Sequence, residues 1–366
     1  MGGIRSYTNW AMAASLQRGS LVTTTIKICT AESSTGNSQE LQVMGVIQSI
    51  QDPYPGRSHI RTLLDDFRHD GPNGSHTCLV VEVLGQAVCT TAEEDCTGRR
   101  LPPRIASTVA SQVSLALSFL HRHSIAHGAF SDTKIQRLTE SEVLQYVGEP
   151  ELWPITSSDG SPRAPGVPRY HVWPLASAEP DLDDEPQVKL LDFGNSFFSD
   201  QPPANLSVPM SYCPPEVALG VALDHRVDFW ALGCLIFDLY CGQPPFDDLT
   251  MDHAGLIEDV TSLLGPLPGR WRHLRESSGL VSEKSDGWMR RYSLQEWLEA
   301  CYYYDDKPQG MSDGEVKGLG AVTQRLLVLD PERRAAASEI SKEKFFLNRR
   351  DRDRSALERF IKVFRP

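Results

Sequence analysis

Four markers in fixed order, from Asp192 to Arg334, leave this chain little freedom in its fold. Asp192-Phe193-Gly194 comes first, directly after Val188-Lys189-Leu190-Leu191, a short apolar run of strand character. Pro214-Pro215-Glu216 follows, then Asp228-Phe229-Trp230 with Gly233, and last Arg334 in Leu329-Asp330-Pro331-Glu332-Arg333-Arg334. Each triplet alone is weak. Together, in this order and spacing, they are a strong signal. Glu216 is expected to pair, buried, with Arg334, and such a pair costs roughly 3–5 kcal/mol to break from one side. Asp228 opens an apolar helix and is expected to accept backbone N–H groups from a neighbouring loop. Gly242-Gln243-Pro244-Pro245 ends that helix, as Gly followed by Pro should.

At 366 residues the chain is long enough for two separate cores. A net charge of -12 argues against a nucleic-acid-binding surface and suits basic partners, although solubility alone accounts for mild acidity. The eight cysteines form no CxxC pair and read as reduced, buried thiols of an intracellular protein. No basic-then-apolar leader is present. The most apolar run, Phe229 to Cys241, is too short to span a bilayer and carries Asp238, so no membrane role follows.

In the N-terminal part, Leu21 to Cys29 is rich in β-branched residues and predicts a strand with Lys27 near its end. Glu40 then opens a helical pattern through Leu41, Met44, Ile47 and Ile50, and its carboxylate is placed to hold the Lys27 ammonium. Leu79 to Leu84 predicts a buried strand leading out of this region. Upstream, Gly2-Gly3-Ile4-Arg5-Ser6-Tyr7 stands before Trp10-Ala11, with no strand ahead of it. Ile105 to Arg122 predicts an amphipathic helix, which runs into Ile125-Ala126-His127-Gly128-Ala129-Phe130-Ser131-Asp132-Thr133-Lys134-Ile135. A long Pro-, Ser- and Gly-rich insert, 139–187, follows; Leu144, Tyr146, Val147 and Trp153 suggest that its first part packs on its lobe. Leu256 to Trp271 predicts a helix and then a turn, with helices on to Phe346 and a charged helical tail at 348–366. Asp247, Asp248, Asp252, Glu258 and Asp259 read as a solvated face, or as an acidic groove for basic peptides.

Together these residues resemble the SR-protein-kinase group of eukaryotic serine/threonine protein kinases, its fungal members especially. The resemblance spans Tyr7 to Phe346. Its specific points are the long insert with Gly148-Glu149-Pro150 and Pro165-Gly166-Val167-Pro168, Leu223-Asp224-His225-Arg226-Val227-Asp228, and Leu263-Leu264-Gly265-Pro266-Leu267-Pro268. It implies an α+β, two-lobed kinase fold, with a β-rich N-lobe (1–84) lacking its first strand and a helical C-lobe (85–347). It implies ATP with Mg²⁺, and Arg/Ser-rich protein substrates docked in an acidic groove. A monomer of the cytoplasm or nucleus is expected. Lys27 and Glu40 match the phosphate-binding lysine and its glutamate, Glu82 to Leu84 the hinge that meets adenine, and Asp192 the metal ligand.

Four positions depart from the family. In its H-x-D-x-K-x-x-N loop the Asp takes the substrate hydroxyl proton, the Lys steadies the γ-phosphate and the Asn binds the second metal. Here Ala129, Ser131 and Lys134 occupy those places, and Ile4 replaces a loop glycine. A methyl group cannot take a proton, a loss worth about 10²–10⁴ in rate. An ammonium cannot ligate Mg²⁺, but Lys134 can pair with Asp192 in its stead. Asp132 reads as a solvated turn residue, with a shifted base the minority alternative, since about 1 Å of misplacement can cost 10². Three readings remain: a pseudokinase serving as a binding module, a serine/threonine kinase of low turnover, and a decaying paralogue. Ala129 favours the first; the retained Glu216, Asp228 and Arg334 count against the third.

Overall fold

A helix that is apolar on every side has to be buried, and Val227–Cys241 is such a helix: Asp238 is its one residue that is not fully enclosed. In the computed structural model of the protein it is the centre around which the larger of two units is built. The structure describes residues 9–17, 20–34, 38–72, 74–84, 88, 100–128, 133–136, 152–154, 170–172, 186–246, 252–277, 292–304 and 310–346. By backbone contacts the first unit takes residues 1–50, 61–86 and 136–180, and the second 51–60, 87–135 and 181–366.

The first unit holds a sheet of β1 (Asn9–Gln17), β2 (Ser20–Ile28), β3 (Leu63–Gly71) and β4 (Gly74–Glu82), in the order β1-β2-β4-β3 and antiparallel throughout. Four strands make up this sheet among the described residues. β2 and β4 fall where the sequence predicts strands; β1 and β3 are additions to that prediction. Helix α1 (Gln39–Ser49) follows β2, and its buried stripe is Glu40, Val43, Met44 and Ile47. Ile50 ends it in extended backbone. A short antiparallel pair, β7 (Leu152–Pro154) with β8 (Tyr170–Val172), is the described part of the insert in this unit. Trp153 is 55% exposed, which corrects the expectation that it packs on its lobe: a two-stranded ribbon leaves one face outward. Leu144, Tyr146 and Val147 lie outside the described residues.

In the second unit α2 (Pro103–Arg122) leads to β5 (Ile125–Ala126) and β6 (Thr133–Gln136); β9 (Gln187–Leu190) and β10 (Phe197–Phe198) pair with β6 and β5. Then come α3 (Pro215–Ala218), the buried α4 (Val227–Cys241), α5 (His253–Leu264), α6 (Arg272–Ser277), α7 (Leu294–Tyr302), α8 (Asp313–Leu326) and α9 (Ala337–Ile340). Gly242 stops α4 at φ 76°, a left-handed turn that glycine adopts without a Cβ penalty, and its N–H donates to the Asp238 carbonyl at 2.7 Å. Arg100 caps two helices at once, donating to the carbonyls of Cys241, Cys301 and Tyr302 at 2.9–3.0 Å. Gln112 on α2 holds the start of β9 as a strand partner would: it donates to Pro186 O at 2.9 Å and accepts from Val188 N at 2.6 Å. The six cysteines among the described residues are buried. Burial pushes the Cys301 thiol up to about 11 and, with the nearby Glu216 charge, that of Cys213 to about 12. The expected tail at 348–366 lies outside the described residues.

Candidate functional site

In the first unit Lys27 sits on β2, opposite Leu79 of β4 and Trp10 of β1, so its side chain leaves the middle of the sheet. Only 6% of Lys27 is exposed, and its Nζ donates to Glu40 Oε1 at 2.8 Å. Glu40 lies in the first turn of α1, where helix-end N–H groups favour a carboxylate. The pair fixes an ammonium in a buried, directed position, which is what binding a phosphate requires.

Glu82, at the end of β4, is engaged by residues of its own unit. Its N–H donates to Thr62 O at 3.3 Å, its carbonyl accepts from Arg61 Nη2 at 3.2 Å, and its carboxylate accepts from Thr62 N at 2.6 Å. Of the expected hinge, 82–84, Glu82 thus has its backbone N–H and carbonyl engaged within the unit. Leu84 follows the strand end and is half-buried.

In the second unit Asp228 is 1% exposed and accepts three hydrogen bonds: from His127 N at 2.8 Å, Gly128 N at 2.9 Å and His121 Nε2 at 2.7 Å. Burial alone would raise its pKa. The His121 hydrogen bond and the charges and N–H groups around it outweigh burial and hold it below the ordinary carboxylate range. Sequence spacing anticipates the backbone bonds but not His121, which carries no motif signal of its own. His127 donates from Nε2 to Leu191 O at 3.1 Å, and its ring lies 4.9 Å from that of Phe193.

Gly128 takes φ +82°, and a Cβ there would stand 2.2 Å from the Asn195 carbonyl oxygen. Only glycine fits this close approach of two backbone segments. Asp192 is exposed and left-handed, at φ 65° and ψ 73°. For a non-glycine residue that conformation stores about 1–3 kcal/mol of strain, and residues so held cluster at functional sites. Phe193 next to it is fully buried.

Glu216 and Arg334 meet as a bidentate pair, Nη1 to Oε1 at 2.5 Å and Nη2 to Oε2 at 2.7 Å. Arg334 also donates to the carbonyls of Val328 and Arg226 at 2.9 Å and lies 5.1 Å from the centre of the Trp230 ring. Tyr212 donates to Asp238 at 2.8 Å, tying the segment before α3 to α4. Ala129, Ser131 and the candidate shifted base Asp132 lie outside the described residues. Lys134 lies on β6, but its side chain, and with it the expected pairing to Asp192, is outside them too. In the acidic run, Asp252 is exposed, as a solvated face requires, and caps α5 by accepting from Gly255 N at 2.8 Å, whereas Glu258 is buried and does not belong to such a face; Asp247 and Asp248 lie outside the described residues.

The donor chemistry fits ATP in part. Lys27, held by Glu40, suits a phosphate. Mg²⁺ takes one or two carboxylates and completes its shell with phosphates and water. Among the described residues no three His, Cys, Asp or Glu side chains cluster to hold a metal, and Asp192 is the single carboxylate at its turn. By the resemblance Lys134 stands where the second metal ligand would, and an ammonium has no lone pair to give, so that residue type does not fit a second ion.

Comparison with known proteins agrees with this framework. The family model described as the protein kinase domain matches residues 182–346. Protein kinase dsk1 of Schizosaccharomyces pombe is 32% identical over 82% of this chain and 71% of its own length. A serine/threonine protein kinase of Aspergillus fumigatus is 26% identical over 83% and 73% of the two chains. The serine/threonine-protein kinase SRPK of Physarum polycephalum is 26% identical over 80% and 72%. A crystal structure of a kinase domain superposes with a TM-score of 0.62 at 17% identity, covering 94% of this chain and 93% of that one, a likeness of fold. With its two-lobed fold and these relatives, the chain belongs to the protein kinase family as an SR-protein-kinase-like member.

Proposed function

We propose that this chain is a pseudokinase, a kinase fold kept as a protein-binding module with weak or no phosphoryl transfer and residual affinity for ATP through Lys27. The observation that carries the reading is Ala129. Asp228 pins the backbone of His127 and Gly128 through two N–H bonds, so the chain enters position 129 from a fixed direction. The side chain that follows is a methyl group, which neither orients a hydroxyl nor accepts its proton. Ser131 and Lys134 remove the phosphate clamp and the second metal ligand, and these losses act as a unit rather than adding. The net charge of -12 suits a basic or Arg/Ser-rich protein partner and disfavours nucleic acid. Action as a monomer in the cytoplasm or nucleus belongs to the same proposal.

The Lys27–Glu40 pair at 2.8 Å favours a second reading, an active serine/threonine kinase of low turnover. Transfer of labelled phosphate from ATP to an Arg/Ser peptide separates the two. The expected result is no transfer above a blank. Turnover that survives Asp132→Ala and vanishes with Lys27→Ala would establish another base and overturn the proposal. A thermal-shift series in ATP, with and without Mg²⁺, reads the nucleotide directly, because a ligand of the folded state stabilises it by RT ln(1 + [L]/Kd). A small shift that Mg²⁺ barely enlarges is expected; a large Mg²⁺-dependent shift would refute Lys134 as the occupant of the metal position.

A further inference from the structure

Strand β3 is buried at one residue only. Leu63 is enclosed, whereas every residue from Leu64 to Asp70 is exposed, so beyond its first residue no described layer encloses either face of this strand. It is also the edge of its sheet, with β4 as its one partner among the described residues. Proteins normally blunt such an edge by shortening it, by lysine or proline, by bulges along its length, or by a covering segment. β3 runs for nine residues, contains neither lysine nor proline, and has its register irregularity at its start, between Leu63 and Asp65. Among the described residues, what guards it is acid: Asp65, Asp66 and Asp70 beside one arginine, Arg68.

That guard is selective. Two copies of an acidic edge repel each other when brought side by side, whereas a basic strand is attracted. Along the regular register from Asp65, Asp66 and Asp70 share one face with Arg68, and Asp65 shares the other with Phe67 and His69. Each face therefore offers a carboxylate to an incoming chain. Leu64 and Phe67, both 44% exposed, add apolar area that an incoming chain would cover.

The geometry points to β3 as a docking edge for an extended segment of a partner protein in which basic residues alternate with apolar ones. The partner would add as a further strand to the β1-β2-β4-β3 sheet, with main-chain hydrogen bonds supplying affinity and the aspartates supplying choice. This deepens the binding-module reading and rests on its basic protein partner; it does not depend on whether phosphoryl transfer is lost.

The test uses the full chain and a synthetic peptide of alternating arginine and valine, as long as β3. Anisotropy gives the affinity, and amide hydrogen exchange gives the place of binding. The peptide should slow exchange of the 64–70 amides. The same peptide N-methylated at alternate residues, unable to offer one row of N–H groups, should not. Asp66→Lys with Asp70→Lys should weaken binding by about tenfold or more, which is roughly 1.4 kcal/mol. Should that variant unfold, the exchange pattern of the unaltered protein still decides. Protection elsewhere, equal binding of the N-methylated peptide, no binding at all, or dimers formed through β3 would each overturn the proposal. Phosphoryl transfer by the same preparation would sink the pseudokinase reading and leave this one standing.

Discussion

Two buried ion pairs, one in each unit, look alike by distance and differ in everything around them. Lys27–Glu40 joins β2 to α1 through a point charge on a flexible stem. Arg334–Glu216 joins two planar groups through two parallel bonds, and the same guanidinium also ties down the carbonyls of Val328 and Arg226 and lies against Trp230. The Arg334 side chain is 0% exposed and that of Lys27 8%. The second pair is framework, committed to several segments at once. The first couples one strand to one helix, and an ammonium can turn toward a phosphate without releasing the fold. The difference teaches that a pair becomes framework through burial and several anchors, whereas a single anchor leaves its charge able to turn.

The largest expected effect is that of Arg334→Met. It leaves the Glu216 carboxylate buried without its counter-charge, so a loss of about 3–5 kcal/mol is expected in denaturant unfolding. Lys27→Met should cost less, about 1.5–3 kcal/mol, the range for a hydrogen bond to a charged group. Equal losses would break the comparison and make Lys27–Glu40 framework too.

Acid comes next. Asp228 has a folded pKa below its unfolded one, so its contribution is present above the ordinary carboxylate range and disappears as pH falls through the lower folded value. Burial, more than the neighbouring His121 charge, also holds His225 down, so its contribution is full above the ordinary histidine value and begins to fall at a milder pH. Stability should thus decline in two stages on acidification. In His225→Gln the earlier stage should be missing, and in Asp228→Asn the later one. A single acid transition in all three proteins would show that neither group governs the framework's pH response.

Gly128→Ala probes the junction between framework and reaction loop. The left-handed backbone costs an alanine about 1–2 kcal/mol, before the contact with the Asn195 carbonyl forces either segment to move. Faster amide exchange at 193–196 is expected along with the lower stability. Unchanged exchange there would mean that the two segments move independently.

Much of this framework is legible from sequence because its parts are chemically rare. An all-apolar run with a carboxylate at its start and Gly-Pro signals at its end specifies α4, and the resemblance to the kinase family pairs Glu216 with Arg334. Other parts leave no such trace. β1 reads Asn-Trp-Ala-Met-Ala-Ala-Ser-Leu-Gln, with alanines where strands prefer branched residues, and it pairs along its whole length with β2 all the same. β3 has no alternation to find, since both its faces are wet. Gln112 and Arg100 act through backbone carbonyls and N–H groups, which no side-chain period reports. The site is readable where motif spacing fixes a role, as at Lys27, Glu40 and Asp228. It is not where a glycine acts by what it lacks, as Gly128 does against Asn195.

The smallest effect belongs to a third ion pair, near the second in sequence. Arg270 meets both oxygens of Asp330 at 2.6 and 3.2 Å, and Asp330 caps the turn Pro331–Arg333 that delivers Arg334. Its geometry rivals that of Arg334–Glu216, yet the Arg270 side chain is 46% exposed. Water and salt screen an exposed pair, and holding two long side chains together costs entropy. Arg270→Ala should therefore lower stability by about 0.2–1 kcal/mol, less still in high salt. Should the loss approach that of Arg334→Met, bidentate geometry and not burial would set the worth of these pairs. Lys27–Glu40, buried but not bidentate, would then fall below Arg270–Asp330 in the order.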